Sequence, residues 1–303
     1  MMRFSKYHGT GNDFVLTEAL DDLRRPDQGL IEALCDRRRG VGADGLIRIV
    51  RTADADFFMD YYNADGQVAE MCGNGIRCLA KYVYDRGLTN QTEMNIGTRA
   101  GVKQVTLQIE GDTVARVTVG MGHPEFERKA IPMTGEPDET FVEQPIEVDG
   151  RSFTATAVSM GNPHCVLLLD GDADVAAMEV PRLGSMVEHR PEFPSRTNVE
   201  FVQAVNGLIR ARVWERGSGE TMACGTGACA ALVASSVAGL TGREAQVEFP
   251  GGLLDVAWRN DGEVLLTGPA VWVYDGELSK PWLDAAAAGR WRHQPEAATE
   301  PVR

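Results

Sequence analysis

Met71-Cys72-Gly73-Asn74-Gly75 and Ala223-Cys224-Gly225-Thr226-Gly227 are one phrase written twice, a Cys-Gly-x-Gly opening a helical pattern in each half of the chain. Upstream, Asn63 stands nine residues before Cys72 and Glu215 nine before Cys224. Farther up, Gly11-Asn12 and Gly161-Asn162 precede their cysteines, with Asn12 sixty and Asn162 sixty-two residues ahead. Three anchors in matched order read as an internal duplication whose two copies build one site between them.

The 303 residues allow two units of near 150 each, both large enough to bury a core. The copies are expected to divide at 122/123, with Gly120-Met121-Gly122-His123-Pro124 as a linker. The net charge of -14 argues against nucleic acid or an acidic membrane as partner. The basic run Arg37-Arg38-Arg39 reads as a complement to a helix C-terminus. No run of eighteen apolar residues occurs and no signal-peptide pattern follows Met1, so a cytoplasmic location is expected.

Six cysteines without a secretion signal do not read as a disulfide framework, and their spacings do not match a zinc ribbon. Neither metal nor cofactor is expected. Cys35, Cys78, Cys165 and Cys229 read as small buried hydrophobes.

The coarse pattern is α+β with much antiparallel strand. Val105, Leu107 and Ile109, then Ala115, Val117 and Val119, alternate around Glu110-Gly111-Asp112 as a hairpin. A second set of strands follows Val247 and runs past Pro250-Gly251-Gly252 to Leu266; further strands fall at 153–158 and 165–169. Helices are expected at about 30–38, after Cys72 with Gly87 as C-cap, and after Cys224 to near Gly239. The last is apolar all round and should be buried. The architecture is therefore two pseudo-symmetric domains, each a curved, mostly antiparallel sheet wrapped around a central helix. From 281 to 303 a poorly ordered tail is expected.

The first amides of a helix point at whatever precedes it, so those of Gly73, Asn74, Gly225 and Thr226 are placed to hold a carboxylate. The same helix starts favour a thiolate, which predicts lowered pKa values for Cys72 and Cys224. Two thiols on opposite faces of one carbon can remove a proton and return another, inverting the centre. His164 and Glu215, beside the second copy's anchors, are candidates to tune them. Arg216, taken as buried, can clamp a carboxylate bidentately.

The segments Phe4 to Phe14, Tyr62-Asn63-Ala64-Asp65-Gly66, Cys72 to Cys78, Ser159 to Cys165, Glu215 to Thr221 and Ala223 to Ala230 resemble, in order, those of the diaminopimelate epimerase family. The resemblance implies a pyridoxal-phosphate-independent isomerase that interconverts LL- and meso-2,6-diaminopimelate for lysine and peptidoglycan synthesis. It implies Cys72 and Cys224 as the acid/base pair, tuned by His164 and Glu215. Asn12, Asn63, Asn162, Asn198, Glu215 and Arg216 would surround the substrate. It implies a homodimer with Tyr274 at the interface, and a return of residues 271–280 to the first domain, 1–122, leaving 123–270 as the second. Gly45 departs from members that carry glutamine there. The competing readings are a proline or hydroxyproline racemase of the same fold, and a non-catalytic redox or metal-binding protein.

Overall fold

The computed structural model describes residues 1–22, 24–171 and 173–293. The first half contains β1 (Met2–Gly9), β2 (Asn12–Glu18), α1 (Gln28–Cys35), β3 (Gly45–Val50), β4 (Phe57–Asn63), α2 (Gly73–Asp85), β5 (Glu93–Thr98), β6 (Gly101–Glu110) and β7 (Thr113–Gly122). The second contains β8 (Gln144–Val148), β9 (Arg151–Ser159), β10 (Pro163–Leu168), α3 (Val180–Glu188), β11 (Asn198–Val205), β12 (Leu208–Glu215), β13 (Gly219–Thr221), α4 (Gly225–Val237), β14 (Glu244–Phe249), β15 (Gly252–Trp258) and β16 (Val264–Gly268). The chain then forms β17 (Val271–Leu278), α5 (Lys280–Ala287) and a 3-10 turn, Arg290–His293.

The pairings repeat. The antiparallel pair β1–β2, parallel β2–β3, antiparallel β3–β4 and parallel β4–β5 of the first half return as β9–β10, β10–β11, β11–β12 and β12–β14 of the second. Each half ends in a three-stranded antiparallel run, β5–β6–β7 and β14–β15–β16. Even the outer strands correspond, because β17 pairs with β1 as β8 pairs with β9. Parallel joins need crossovers, and each join encloses one helix: α1 and α2 in the first half, α3 and α4 in the second.

Each central helix is buried for the reason its sequence gives. Ile76, Leu79, Ala80 and Val83 of α2 are fully covered, and α2 ends before Gly87, whose φ of 70° suits a residue without Cβ. In α4, residues from Ala228 to Ala234 are all 0% exposed, and their small side chains let strands of both flanks approach.

Three expectations need correction, and one helix was not foreseen. Gly120 and Gly122 are not linker: they lie in β7 and pair with Leu265 and Val264 of β16, so the halves are joined by a β-ladder. Arg37-Arg38-Arg39 lies beyond the end of α1, and Arg37 instead pairs with Asp13 and Asp44, each at 2.7 Å. Residues 180–188, assigned to no element from the sequence, form α3. The expected tail is ordered through 293: Trp291 is 7% exposed and packs with Ala286, Trp282, Leu30 and Ala33 of α1. The remainder of that expectation, 294–303, lies outside the described residues.

Candidate active site

Cys72 and Cys224 are the N-caps of α2 and α4. Both have extended backbones, with φ of -140° and -124°, and each sulfur accepts a backbone N–H three residues on, from Gly75 at 3.4 Å and Gly227 at 3.3 Å. These glycines leave room for the side chains packed beneath them. A Cβ on Gly75 would lie 2.8 Å from Ile47 Cδ1, and one on Gly227 would lie 2.8 Å from Glu200 Oε1. The two helix starts abut: a Cβ on Gly225 would lie 3.2 Å from Gly73 Cα, and Asn74 Nδ2 donates across the halves to the Ala223 carbonyl at 3.1 Å. Two thiols and two sets of leading amides therefore converge on one place, and both thiols are free.

The expected acidity does not follow. Burial pushes the Cys72 thiol up to about 11, and the Gly75 and Asn74 amides and Arg77 only partly offset it. Burial pushes Cys224 well above its ordinary value, and the neighbouring Glu215 and Glu200 carboxylates add to the rise. Helix-start amides favour a thiolate, but removing the charge from water outweighs them here.

Around Cys72, Asn12 Oδ1 lies 3.5 Å from the sulfur and accepts from Asn74 Nδ2 at 3.2 Å, while Asn12 Nδ2 donates to Asp44 at 2.7 Å. Around Cys224, Thr226 Oγ1 lies 3.4 Å from the sulfur and accepts from Asn162 Nδ2 at 3.3 Å. Glu215, at the end of β12, accepts from the Thr221 hydroxyl; burial raises its carboxyl, while Thr221 and Cys224 oppose the rise. His164 is fully buried and hydrogen-bonds to neither sulfur: its Nε2 is 3.0 Å from Asn162 Oδ1. Asn198 is spent on backbone, bonding the Pro163 carbonyl and the Arg216 N–H. Asn63 and Arg216 are exposed, and Arg216 makes no ion pair among the described residues. The reading of Arg216 as buried is thus corrected.

A family model for diaminopimelate epimerase matches residues 4–127 and 156–273, a span that holds both cysteine motifs. The chain belongs to the diaminopimelate epimerase family. It is 48% identical over 280 residues to the diaminopimelate epimerase of Moorella thermoacetica, covering 91% of this chain and 99% of the relative. It is 46% identical over 279 residues to that of Pelotomaculum thermopropionicum, covering 91% and 98%. Among solved structures, a probable proline racemase from Agrobacterium radiobacter shares the fold, with a TM-score of 0.68 at 15% identity over 95% of this chain and 96% of that one.

In this epimerase-family chain, four further groups shape the site that were not among the expected site residues. Arg77, 0% exposed, bonds Gly73 O, Asn74 Oδ1, Thr10 Oγ1 and Pro269 O, and has no carboxylate partner among the described residues. It places a positive charge under the start of α2. Asp13 bridges Lys6 and Arg37; burial would raise its carboxyl, but those two cations hold it far below the usual range, fixing the Asn12 turn. Tyr61 fills the space beside Gly45, where a Cβ would lie 2.6 Å from its ring. Its hydroxyl is pushed well above the ordinary value by burial and then by the nearby Cys72 and Glu215. The fourth is Glu200, bonded to His164 Nδ1 at 2.7 Å.

Proposed function

We propose that this chain interconverts LL- and meso-2,6-diaminopimelate by two-base proton transfer between Cys72 and Cys224, with no pyridoxal phosphate. The observation that carries the reading is the contact of Gly73 with Gly225, which sets two thiol-capped helix starts face to face. One sulfur, as thiolate, removes the α-proton from one face of the carbon. The other, as thiol, delivers its proton to the opposite face, leaving the centre inverted and the two sulfurs with exchanged protonation.

The substrate α-carboxylate lies against the leading amides of Gly73, Asn74, Gly225 and Thr226, which stabilise charge as it spreads from the carbon. Asn12 and Asn162 orient each thiol, and His164 and Glu215 tune them. The fold favours the protonated form of both thiols, so the thiolate that acts as base is a strong one, suited to a weak carbon acid. Asn63 and Arg216, at the exposed rim, read the second amino-acid head group; Asn198 contributes by holding Arg216. A single-headed amino acid leaves those groups unpaired.

The proposed domains are 1–122 with 271–280, and 123–270. No helix among the described residues is long and apolar enough to cross a membrane. We place the enzyme in the cytoplasm, as a homodimer formed on β17, whose Trp272, Val273 and Tyr274 are 49%, 50% and 41% exposed.

Incubation of the chain with LL-diaminopimelate, and separately with L-proline, tests the reading. Epimerisation of the first alone, abolished in C72A and in C224A, is expected. Inversion of proline but not diaminopimelate would favour the same-fold racemase reading and reject this one.

A further inference from the structure

The two halves place different groups beneath equivalent helix starts. In the first, β2 and β3 run parallel with Phe14 opposite Gly45, and a Cβ on Gly75 would meet Ile47 Cδ1 at 2.8 Å and the Phe14 ring at 3.5 Å. In the second, β10 and β11 run parallel with His164 opposite Asn198, and a Cβ on Gly227 would meet Glu200 Oε1 at 2.8 Å. Ile47 stands two residues past Gly45, and Glu200 two past Asn198. Phe14–Ile47 and His164–Glu200 therefore occupy the same two positions of the duplicated frame.

The first pair is apolar; the second is a fully buried ionisable pair, both side chains 0% exposed. Replacing such a pair by apolar groups of similar volume is often neutral or stabilising, because the charges must otherwise be stripped of water. The first half shows that the frame accepts an apolar pair. Packing alone thus gives no reason for the polar one, and Glu200 carries a further cost, since its Oε2 is buried with no hydrogen-bond partner. The pair instead begins a chain of contacts: His164 Nε2 to Asn162 Oδ1 at 3.0 Å, Asn162 Nδ2 to Thr226 Oγ1 at 3.3 Å, and Thr226 Oγ1 to Cys224 Sγ at 3.4 Å.

We propose that Glu200 is a positioning residue of the proton-transfer site: it holds His164 with a hydrogen on Nε2 and so fixes the direction of every hydrogen bond from there to Cys224. Asn162 Oδ1 only accepts, so His164 Nε2 must donate. That orients the Asn162 amide with its NH2 toward Thr226, which leaves the Thr226 hydroxyl proton for the sulfur. One proton is shared between Glu200 and His164 Nδ1, as imidazolium with carboxylate or as imidazole with carboxyl. Burial raises the Glu200 carboxyl and His164 opposes the rise. The other ionisable groups near Glu200 are Glu215 of β12, Cys224 at the start of α4 and Cys165 of β10. The proposal rests on Cys224 being one of the two acid/base thiols.

The test compares wild type with E200L, E200Q, E200D and the double variant H164F/E200I, which installs the first half's pair. Turnover of diaminopimelate is measured in both directions, and the His164 ring nitrogens are followed by 15N NMR without substrate. E200L, which offers Nδ1 neither a hydrogen nor an acceptor, should lower kcat about 10- to 100-fold with little change in KM, and shift the His164 ring signals. E200D, and E200Q through an NH2 that donates to Nδ1, should keep more kcat than E200L. The double variant should fold with a Tm at or above wild type and lose at least as much kcat as E200L. Wild-type kcat in E200L or in the double variant would overturn the proposal. So would loss of kcat in E200L with unchanged His164 signals, or a double variant that fails to fold, which would make the pair a structural need. Failure of wild type to turn over diaminopimelate would sink the functional reading instead, while the ring signals still report whether Glu200 governs His164.

Discussion

At the residue scale, burial decides the behaviour of the thiols. A thiol is neutral when protonated, so a folded-state pKa above the ordinary value of 9.0 means that the fold favours the proton. Cys72 is pushed up to about 11, and Cys78 and Cys229 to about 12. Their contribution to stability is complete below about pH 9 and is lost as pH rises through 11 to 12. Thermal unfolding should therefore show Tm falling steeply over that window; a Tm independent of pH between 9 and 11 would contradict the buried-thiol account. The duplicated motif made the cysteines, Asn12, Asn162, Gly73 and Gly225 legible, because repetition marks a residue without any knowledge of its neighbours. Glu200, Arg77 and Tyr61 were not legible. Each sits inside a regular element, and its importance arises from groups it meets across the fold: Ile47 and Glu200 look unrelated until β3 and β11 are superposed by their pairings.

At the element scale, α3 and α5 both carry weak local signals. In α3, Pro181 falls in the first turn, no side chain caps the start, and Gly184 interrupts the apolar pattern. Gly184 is there because a Cβ would lie 2.5 Å from Trp214 Cβ, a contact that local sequence does not reveal. In α5, an alanine run after Ser279-Lys280-Pro281 reads as weakly specified, yet Ser279 caps the helix and Trp282, Ala286 and Trp291 give it a face to set on α1. Replacing Trp291 by alanine should undock that face, costing up to about 3–5 kcal/mol if the cost is transmitted to global unfolding. Hydrogen exchange should speed up in α5 and α1 while diaminopimelate turnover stays near wild type. Unchanged protection in α5 would show that the contact is dispensable.

At the scale of the whole molecule, the duplication explains why the proposed active site draws on both halves. Each half supplies one thiol, one helix start and one asparagine anchor, and the β7–β16 ladder holds the two copies together. The halves then diverge where a stereocentre's faces must be distinguished, Asp13-Phe14 against Pro163-His164 and Asn63 against Glu215. The outer strands diverge too. β17 leaves apolar residues on an edge that pairs only with β1 among the described strands, an arrangement that invites association. W272E should convert the proposed dimer to a monomer in analytical ultracentrifugation. A wild-type chain that is monomeric at micromolar concentration would remove the dimer from the account. The central claim concerns the path of one proton. Incubation of LL-diaminopimelate with the enzyme in deuterated water, stopped within the first turnovers and read by mass spectrometry and chiral separation, follows it directly. The two-base account predicts that every newly formed meso molecule carries one deuterium, at the inverted carbon alone, with little deuterium in the recovered LL substrate. Inverted product that retains its original hydrogen would contradict it.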